Sequence, residues 1–551
     1  MSMRVILTGM LPFLVVAAAV LAIPVSWLLL RLYRRSVRRG MIVGGPPAGS
    51  DRVVGSSPTS ALHIESLSDA PVRFTVQNTS PEFRTAAGAR WRTTAVYAAA
   101  GASFAVVMTA GFFFSDRTQN VVFTKTALVF WSYFWPVVPA AFLVAAYDRR
   151  RRLHVLGAYC LVLLAIFVVA LIRNPGLGVS QLLVYCILTN GPPTVLVMAF
   201  LYRPVRAVGP LVLAFLIAMA MGSQVLLSIA DRNTNFLKTV VHAGVLIGLG
   251  GTASFIALIV IGMLLFGLLV GWPLLRLLGL RYGRKKLSDQ SLTLDAVWLV
   301  FALVYSIDLV FNGAPWILTG LIAFLAYKLA CMLGFRWLAS SREPGRPKTM
   351  LLLRVFALGK RSEELFDKLR KHWQYVGGIC MIAGPDLATS TVEPHEFLDF
   401  LRGRMGRQFV ANAEDLERRL SALDRVPDPD GRFRITEFFC HNDTWQMTME
   451  QLAASSDVIL MDLRSFSPNS RGCTFELGRL LDRIDLARVV FLVDSTTDLK
   501  FLESTVLDLW KNLATDSPNR LQAACSARLF PVGAQREREL NALLSVLLPA
   551  A

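Results

Sequence analysis

Apolar runs of about 20 residues recur through the first 344 positions of this chain, and each is long enough to cross the roughly 30 Å hydrocarbon core of a bilayer. With 54% hydrophobic residues and a mean hydropathy of +0.49 over 551 residues, the chain is too apolar to be wholly soluble. The runs fall at 6–30, 93–114, 121–147, 153–172, 181–202, 208–230, 251–275, 291–311 and 316–335, which predicts about nine spans. The first run outlasts the apolar core of a signal peptide and is read as an uncleaved anchor.

The net charge of +18 is unevenly placed. Up to residue 344 there are 30 Lys/Arg against 11 Asp/Glu, and beyond it 27 against 28. The excess lies in loops: Arg31, Arg34, Arg35, Arg38 and Arg39, then Arg149–Arg152, then Arg203 and Arg206, then Arg276, Arg281, Arg284, Lys285 and Lys286. Loops 115–120, 173–180 and 312–315 are nearly neutral. Basic loops stay on the cytoplasmic side, so nine spans give an outside N-terminus and a cytoplasmic C-terminus. The basic loops also favour an anionic lipid surface. The C-terminal part has no net basic charge, so nucleic acid is not an expected partner. Asp308 and Lys328 are placed to pair across adjacent spans, and Asn190-Gly191-Pro192-Pro193 breaks the fifth span. Seven scattered cysteines include no Cys-x-x-Cys pair, which excludes the usual structural zinc spacing.

This gives four segments: a first span with its basic flank (1–39), a polar cytoplasmic linker with one strand near 72–76 (40–92), a membrane domain of about eight spans (93–343), and a cytoplasmic domain (344–551). The last segment alternates apolar strands (350–358, 376–383, 433–439, 458–463, 489–493, 523–530) with amphipathic helices (362–373, 394–409, 412–423, 444–454, 474–484, 499–513, 536–548). Such βα repeats predict a doubly wound parallel sheet. Neither a Gly-x-Gly-x-x-Gly fingerprint nor a Walker loop is present.

The stretch Ser470-Arg471-Gly472-Cys473-Thr474-Phe475-Glu476 follows the strand 458–463 and opens a helix, with Glu476 expected in its first turn. Ligands bind outside the carboxyl ends of strands in open α/β sheets. A carboxylate there can stabilise or attack an oxocarbenium-like centre, and it is also what a helix N-terminus favours on electrostatic grounds alone. Gly472 admits a close approach of backbone to ligand. Cys473 stands where a thiolate is favoured, or else packs. Asp462 ends the preceding strand, Gly384-Pro385-Asp386 ends an earlier one, and His441 and Asp443 lie in the loop after the strand 433–439. All belong to one sheet edge. No metal site is expected.

Ser470-x-x-Cys473-x-x-Glu476-Leu477, with loop 440–445 upstream, resembles the Ser-x-x-Cys-x-x-Glu-Leu element of TIR domains. Gly472-Cys473-Thr474-Phe475-Glu476-Leu477-Gly478 resembles the Gly-Thr-x-x-Glu-Ile/Leu-Gly element of nucleoside 2-deoxyribosyltransferases, and Ala383-Gly384-Pro385 their Ala-Gly-Pro loop. The likeness covers 435–495 and, more weakly, 351–384. It implies a flavodoxin-like sheet, and Glu476 as the group that cleaves an N-glycosidic bond of NAD or a nucleoside. Self-association of the domain, or assembly with partners, is what a non-catalytic role would require. NAD enters as substrate; no cofactor is firmly implied. The other readings are a non-catalytic membrane-anchored scaffold and a transporter with a regulatory tail.

Overall fold

The computed structural model describes residues 3–42, 61–67, 81–115, 121–145, 149–173, 176, 178–200, 203–206, 208–340, 347–354, 360–383, 392–423, 425–520, 524–533 and 537–548. The chain forms two compact units, one of Met1–Arg31, Trp91–Arg342 and Val392–Leu398, the other of Leu32–Arg90, Glu343–Thr391 and Asp399–Ala551.

The first unit is helical. Seven helices among the described residues are long and apolar enough to cross a membrane: Ala17–Ile42, Gly88–Ser115, Arg150–Arg173, Gly209–Ala230, Gly251–Gly283, Asp289–Val310 and Pro315–Ala339. An eighth results if Phe123–Tyr133 and Val137–Val144, bent by 42° at their break, count as one. The helix Val179–Phe200 occupies the place of the fifth expected span. Its Asn190 donates through Nδ2 to Ser132 Oγ (2.8 Å) and accepts at Oδ1 from the Tyr305 hydroxyl (2.7 Å). Polar side chains of this kind bridge helices where lipid offers no partner.

Lys328 pairs with Asp295 (Nζ to Oδ2, 2.7 Å), not with Asp308. Asp308 lies almost at the turn between the two helices, about ten residues, or about 15 Å, from the level of Lys328. Residues 231–252 resolve into a separate helix, Thr234–Leu246, capped by Asn233 Oδ1 on the Phe236 N–H (3.1 Å).

The second unit is built on a parallel sheet of eight strands, β1 (Ala61–Ser66), β2 (Met350–Arg354), β3 (Ile379–Ile382), β4 (Phe409–Val410), β5 (Ile435–Cys440), β6 (Val458–Asp462), β7 (Val489–Val493) and β8 (Ala524–Pro531). Their order is β1-β8-β7-β6-β2-β3-β5-β4. β2, β6 and β7 are apolar and buried on both faces because helices cover both. Leu351, Leu353, Ile459 and Met461 point into one layer with the helices Trp445–Ser455, Arg471–Arg483 and Leu499–Lys511. Met350, Leu352, Val458 and Leu460 point into the other, with Lys360–Trp373 and Glu537–Leu547.

Two expectations change. The polar stretch 40–90 carries its strand at Ala61–Ser66, not at 72–76, which lies outside the described residues; β1 pairs in parallel with β8 along Ala61↔Ala524 to Ser66↔Leu529. Leu62 and Ile64 pack on the core while His63 and Glu65 are exposed, the period of a half-buried edge strand. The helix expected over 394–409 stops at Leu401. Gly403 takes φ +68°, and the Gly403 and Arg404 N–H groups close back on the Phe400 and Asp399 carbonyls, a Schellman ending. The freed chain then forms the 3-10 turn Met405–Gln408 and edge strand β4.

Candidate functional site

From β2 the chain moves outward on one side through β3 and β5, then returns to lay β6 on the other side of β2. The order therefore reverses between β2 and β6, and the carboxyl ends of such a pair form the usual ligand crevice of an open α/β sheet. The two strands end in register on Arg354 and Asp462.

Glu476 belongs to this place. The helix after β6 begins at Arg471, earlier than the sequence suggests, because the Ser470 carbonyl accepts the Thr474 N–H (3.0 Å) and makes the first helical bond. Glu476 thus sits in the second turn, not the first, and the helix has no acidic residue in its first turn. Attraction to the helix N-terminus falls off within the first turn, so it does not account for this carboxylate. Its side chain is turned inward and is 2% exposed. Burial pushes the carboxyl up to about 8, against the opposing attraction of Arg354. Oε2 has no hydrogen-bond partner among the described residues.

The neighbouring charges are held tightly. Arg464 is 1% exposed and grips Asp462 through two bonds, Nε to Oδ1 at 2.8 Å and Nη2 to Oδ2 at 2.7 Å, the bidentate form. Arg464 Nη2 also reaches the Arg361 carbonyl (3.3 Å). Beyond β7, Asp494 pairs with Arg361 and accepts from the Thr496 hydroxyl (2.6 Å) and N–H (2.9 Å). Burial opposes ionisation of Asp494, but the Thr496 bonds, then Arg361 and Arg464, hold its carboxyl below the usual carboxylate range. Ser465, at φ +60°, shares a hydrogen bond with the Thr496 hydroxyl (2.9 Å). A non-glycine residue in that region is held there by its surroundings and is common at ligand sites.

Neither a protein-family model, nor a curated protein, nor a solved structure matches this chain. Burial raises the Glu476 carboxyl and the charge of Arg354 opposes that rise, close to the sheet's point of reversal.

The other sequence candidates divide. Asp462 is at the site, locked to Arg464. Cys473 is there but packs in the core, and burial, then Glu476 and Asp462, push its thiol up, away from a reactive thiolate. Ser470 precedes the first helical turn, and its Oγ accepts the Ser467 N–H (3.3 Å). Gly472 lies in that first turn, exposed, with open space where a side chain would project. His441 and Asp443 follow β5, two strands from β2 and so about 10 Å along the sheet. His441 stacks on Phe409 at 4.7 Å with Nδ1 2.7 Å from the Gly40 carbonyl oxygen, and Asp443 is exposed. Gly384, Pro385 and Asp386 lie outside the described residues. Among the described residues no group of His, Cys, Asp and Glu could hold a metal ion.

Sequence reading missed Arg354, Arg361, Arg464, Ser465, Asp494 and Thr496. A signal was present for two of them: Arg354 closes an apolar strand as Asp462 does, and Asp494 directly follows one, where a charge faces the crevice.

Proposed function

We propose that this chain is a multi-pass membrane protein of about nine spans, with its N-terminus outside and a cytoplasmic α/β unit that binds a nucleotide between β2 and β6. In this reading Glu476 promotes cleavage of an N-glycosidic bond, with NAD or a deoxynucleoside as the substrate class. The observation that carries it is the buried carboxyl of Glu476, with one unbonded oxygen, beside the point of strand reversal. The Ser-x-x-Cys-x-x-Glu-Leu likeness to TIR domains supports the same residue.

The C1′–N bond breaks with its electron pair leaving on the base, and an oxocarbenium ion remains. Ionised Glu476 stabilises that positive centre and takes the proton of the water that captures it. Because the free carboxyl titrates near 8, kcat/KM rises with pH up to about that value and then levels, since this ratio follows the free enzyme.

The test uses full-length protein in nanodiscs, wild type and Glu476→Gln, incubated with NAD or deoxynucleosides and followed by chromatography of the released base. Base release by wild type and none by the variant is the expected result. Equal release by both removes Glu476 from the chemistry. No release by either favours the second reading, a non-catalytic scaffold, for which the 2% exposure of Glu476 argues.

A further inference from the structure

A groove of about 340 Å³ runs along one face of the helix Gly209–Arg232, closed at one side by Ile317. Its apolar lining is Met221, Val225 and Ile229, all of them exposed on the protein surface. Gln224, Ser228 and Arg232 line it at one-turn intervals, ending at the exposed Arg232 in the last helical turn. Ser228 Oγ donates to the Gln224 carbonyl (2.8 Å) and needs no partner, so the charge of Arg232 at the end of the row is what hydrocarbon leaves unmet.

We propose that this groove holds one acyl chain of an anionic phospholipid, with its phosphate at Arg232. Three observations fit. From Met221 to Arg232 the groove spans 11 residues, about 16 Å at 1.5 Å per residue. That is about half of the roughly 30 Å hydrocarbon core, the depth of one leaflet. The apolar side chains lie along that depth, and the charge stands at one end. Next to Arg232 the helix Thr234–Leu246 begins, and its positive end offsets the negative end of the helix Gly209–Arg232 that Arg232 itself closes. Under the topology proposed above, on which only the choice of leaflet rests, Arg232 lies on the side where the other loops are nearly neutral. The positive-inside rule therefore does not explain it.

Purified full-length protein, stripped of lipid in detergent, is titrated with phosphatidylglycerol, phosphatidylcholine or glycerol phosphate while its unfolding temperature is read. Phosphatidylglycerol raises Tm saturably. Phosphatidylcholine does so more weakly, and glycerol phosphate has no effect because it lacks the chain. Arg232→Gln weakens the phosphatidylglycerol midpoint by about fivefold, the effect of one basic residue at an anionic surface, and Arg232→Lys restores it. Val225→Trp fills the groove and removes the lipid shift. The proposal is overturned if Arg232→Gln keeps the wild-type midpoint, or if the two lipids act equally. It is also overturned if glycerol phosphate alone stabilises, or if Val225→Cys cross-links two copies, which assigns the face to a second chain.

Discussion

Glutamine at position 476 separates the electrostatic cost of the carboxyl from its chemistry. The folded carboxyl titrates near 8 against an ordinary value of 4.5. Between those values the folded chain holds a proton that the unfolded chain has released, so stability falls as pH rises, by about 1.4 kcal/mol per unit. The burden is absent below pH 4.5, complete above pH 8, about 3 kcal/mol at pH 7 and about 5 kcal/mol at its limit. Glutamine has nearly the same shape and never ionises. Wild type and Glu476→Gln are therefore expected to unfold at similar temperatures at pH 5, and the variant to gain steadily up to pH 8 with no further gain beyond. The assay is Tm of the full chain in detergent at half-unit steps, read as the difference between the two proteins so that other titrating groups cancel. A difference that does not change with pH refutes the buried, raised carboxyl. Loss of base release in the same variant then reports chemistry, since the fold has become more stable.

Other substitutions probe the frame around that residue. Arg464→Met leaves Asp462 buried without its partner and is expected to cost about 3–5 kcal/mol, read by denaturant unfolding; adding Asp462→Leu recovers most of it. Gly403→Ala places a side chain at φ +68° and is expected to cost about 1 kcal/mol and to lower Tm by a few degrees. At Gly222 a Cβ would stand 2.3 Å from the Gly262 carbonyl oxygen and 2.4 Å from Phe266 Cβ, so Gly222→Leu is expected to part the two helices and lower the yield of folded protein by size-exclusion chromatography. Asp295→Ala strands Lys328 and lowers that yield in the same way, and a second change, Lys328→Met, restores it.

Strands buried on both faces were legible because they read as unbroken apolar runs, as Val458–Asp462 and Val489–Val493 do. β1 was harder, since a half-buried edge strand shows only the two-residue alternation of Leu62 and Ile64 inside a polar stretch. The start at Arg471 was hidden by Gly472, which reads as a loop residue yet sits in a helical turn with nothing above it. Glu476 was found by its place after a strand. Its partners were not, because Arg354 is over a hundred residues earlier and meets Asp462 only through the register of β2 on β6. The partner of Lys328 was within reach of arithmetic, since two helices joined by a short turn pair residues equally far from it, which favours Asp295 over Asp308.

The pairing of β1 with β8 constrains how the chain threads a bilayer. Two strands that share hydrogen bonds lie on one side of it, so residues 66 and 524 are separated by an even number of crossings. Six of the seven helices that qualify singly lie between them, and the bent pair Phe123–Tyr133 with Val137–Val144 makes seven, which is odd. Parity is restored when Val179–Phe200 crosses as well. If those six all cross, the bent pair and that helix cross together or not at all. Ser132 to Asn190 and Trp135 to Thr194 are the hydrogen bonds that couple them. With both crossing, eight passages return the chain to the side where β1 awaits its neighbour, and the sheet closes only after nearly the whole chain has been made.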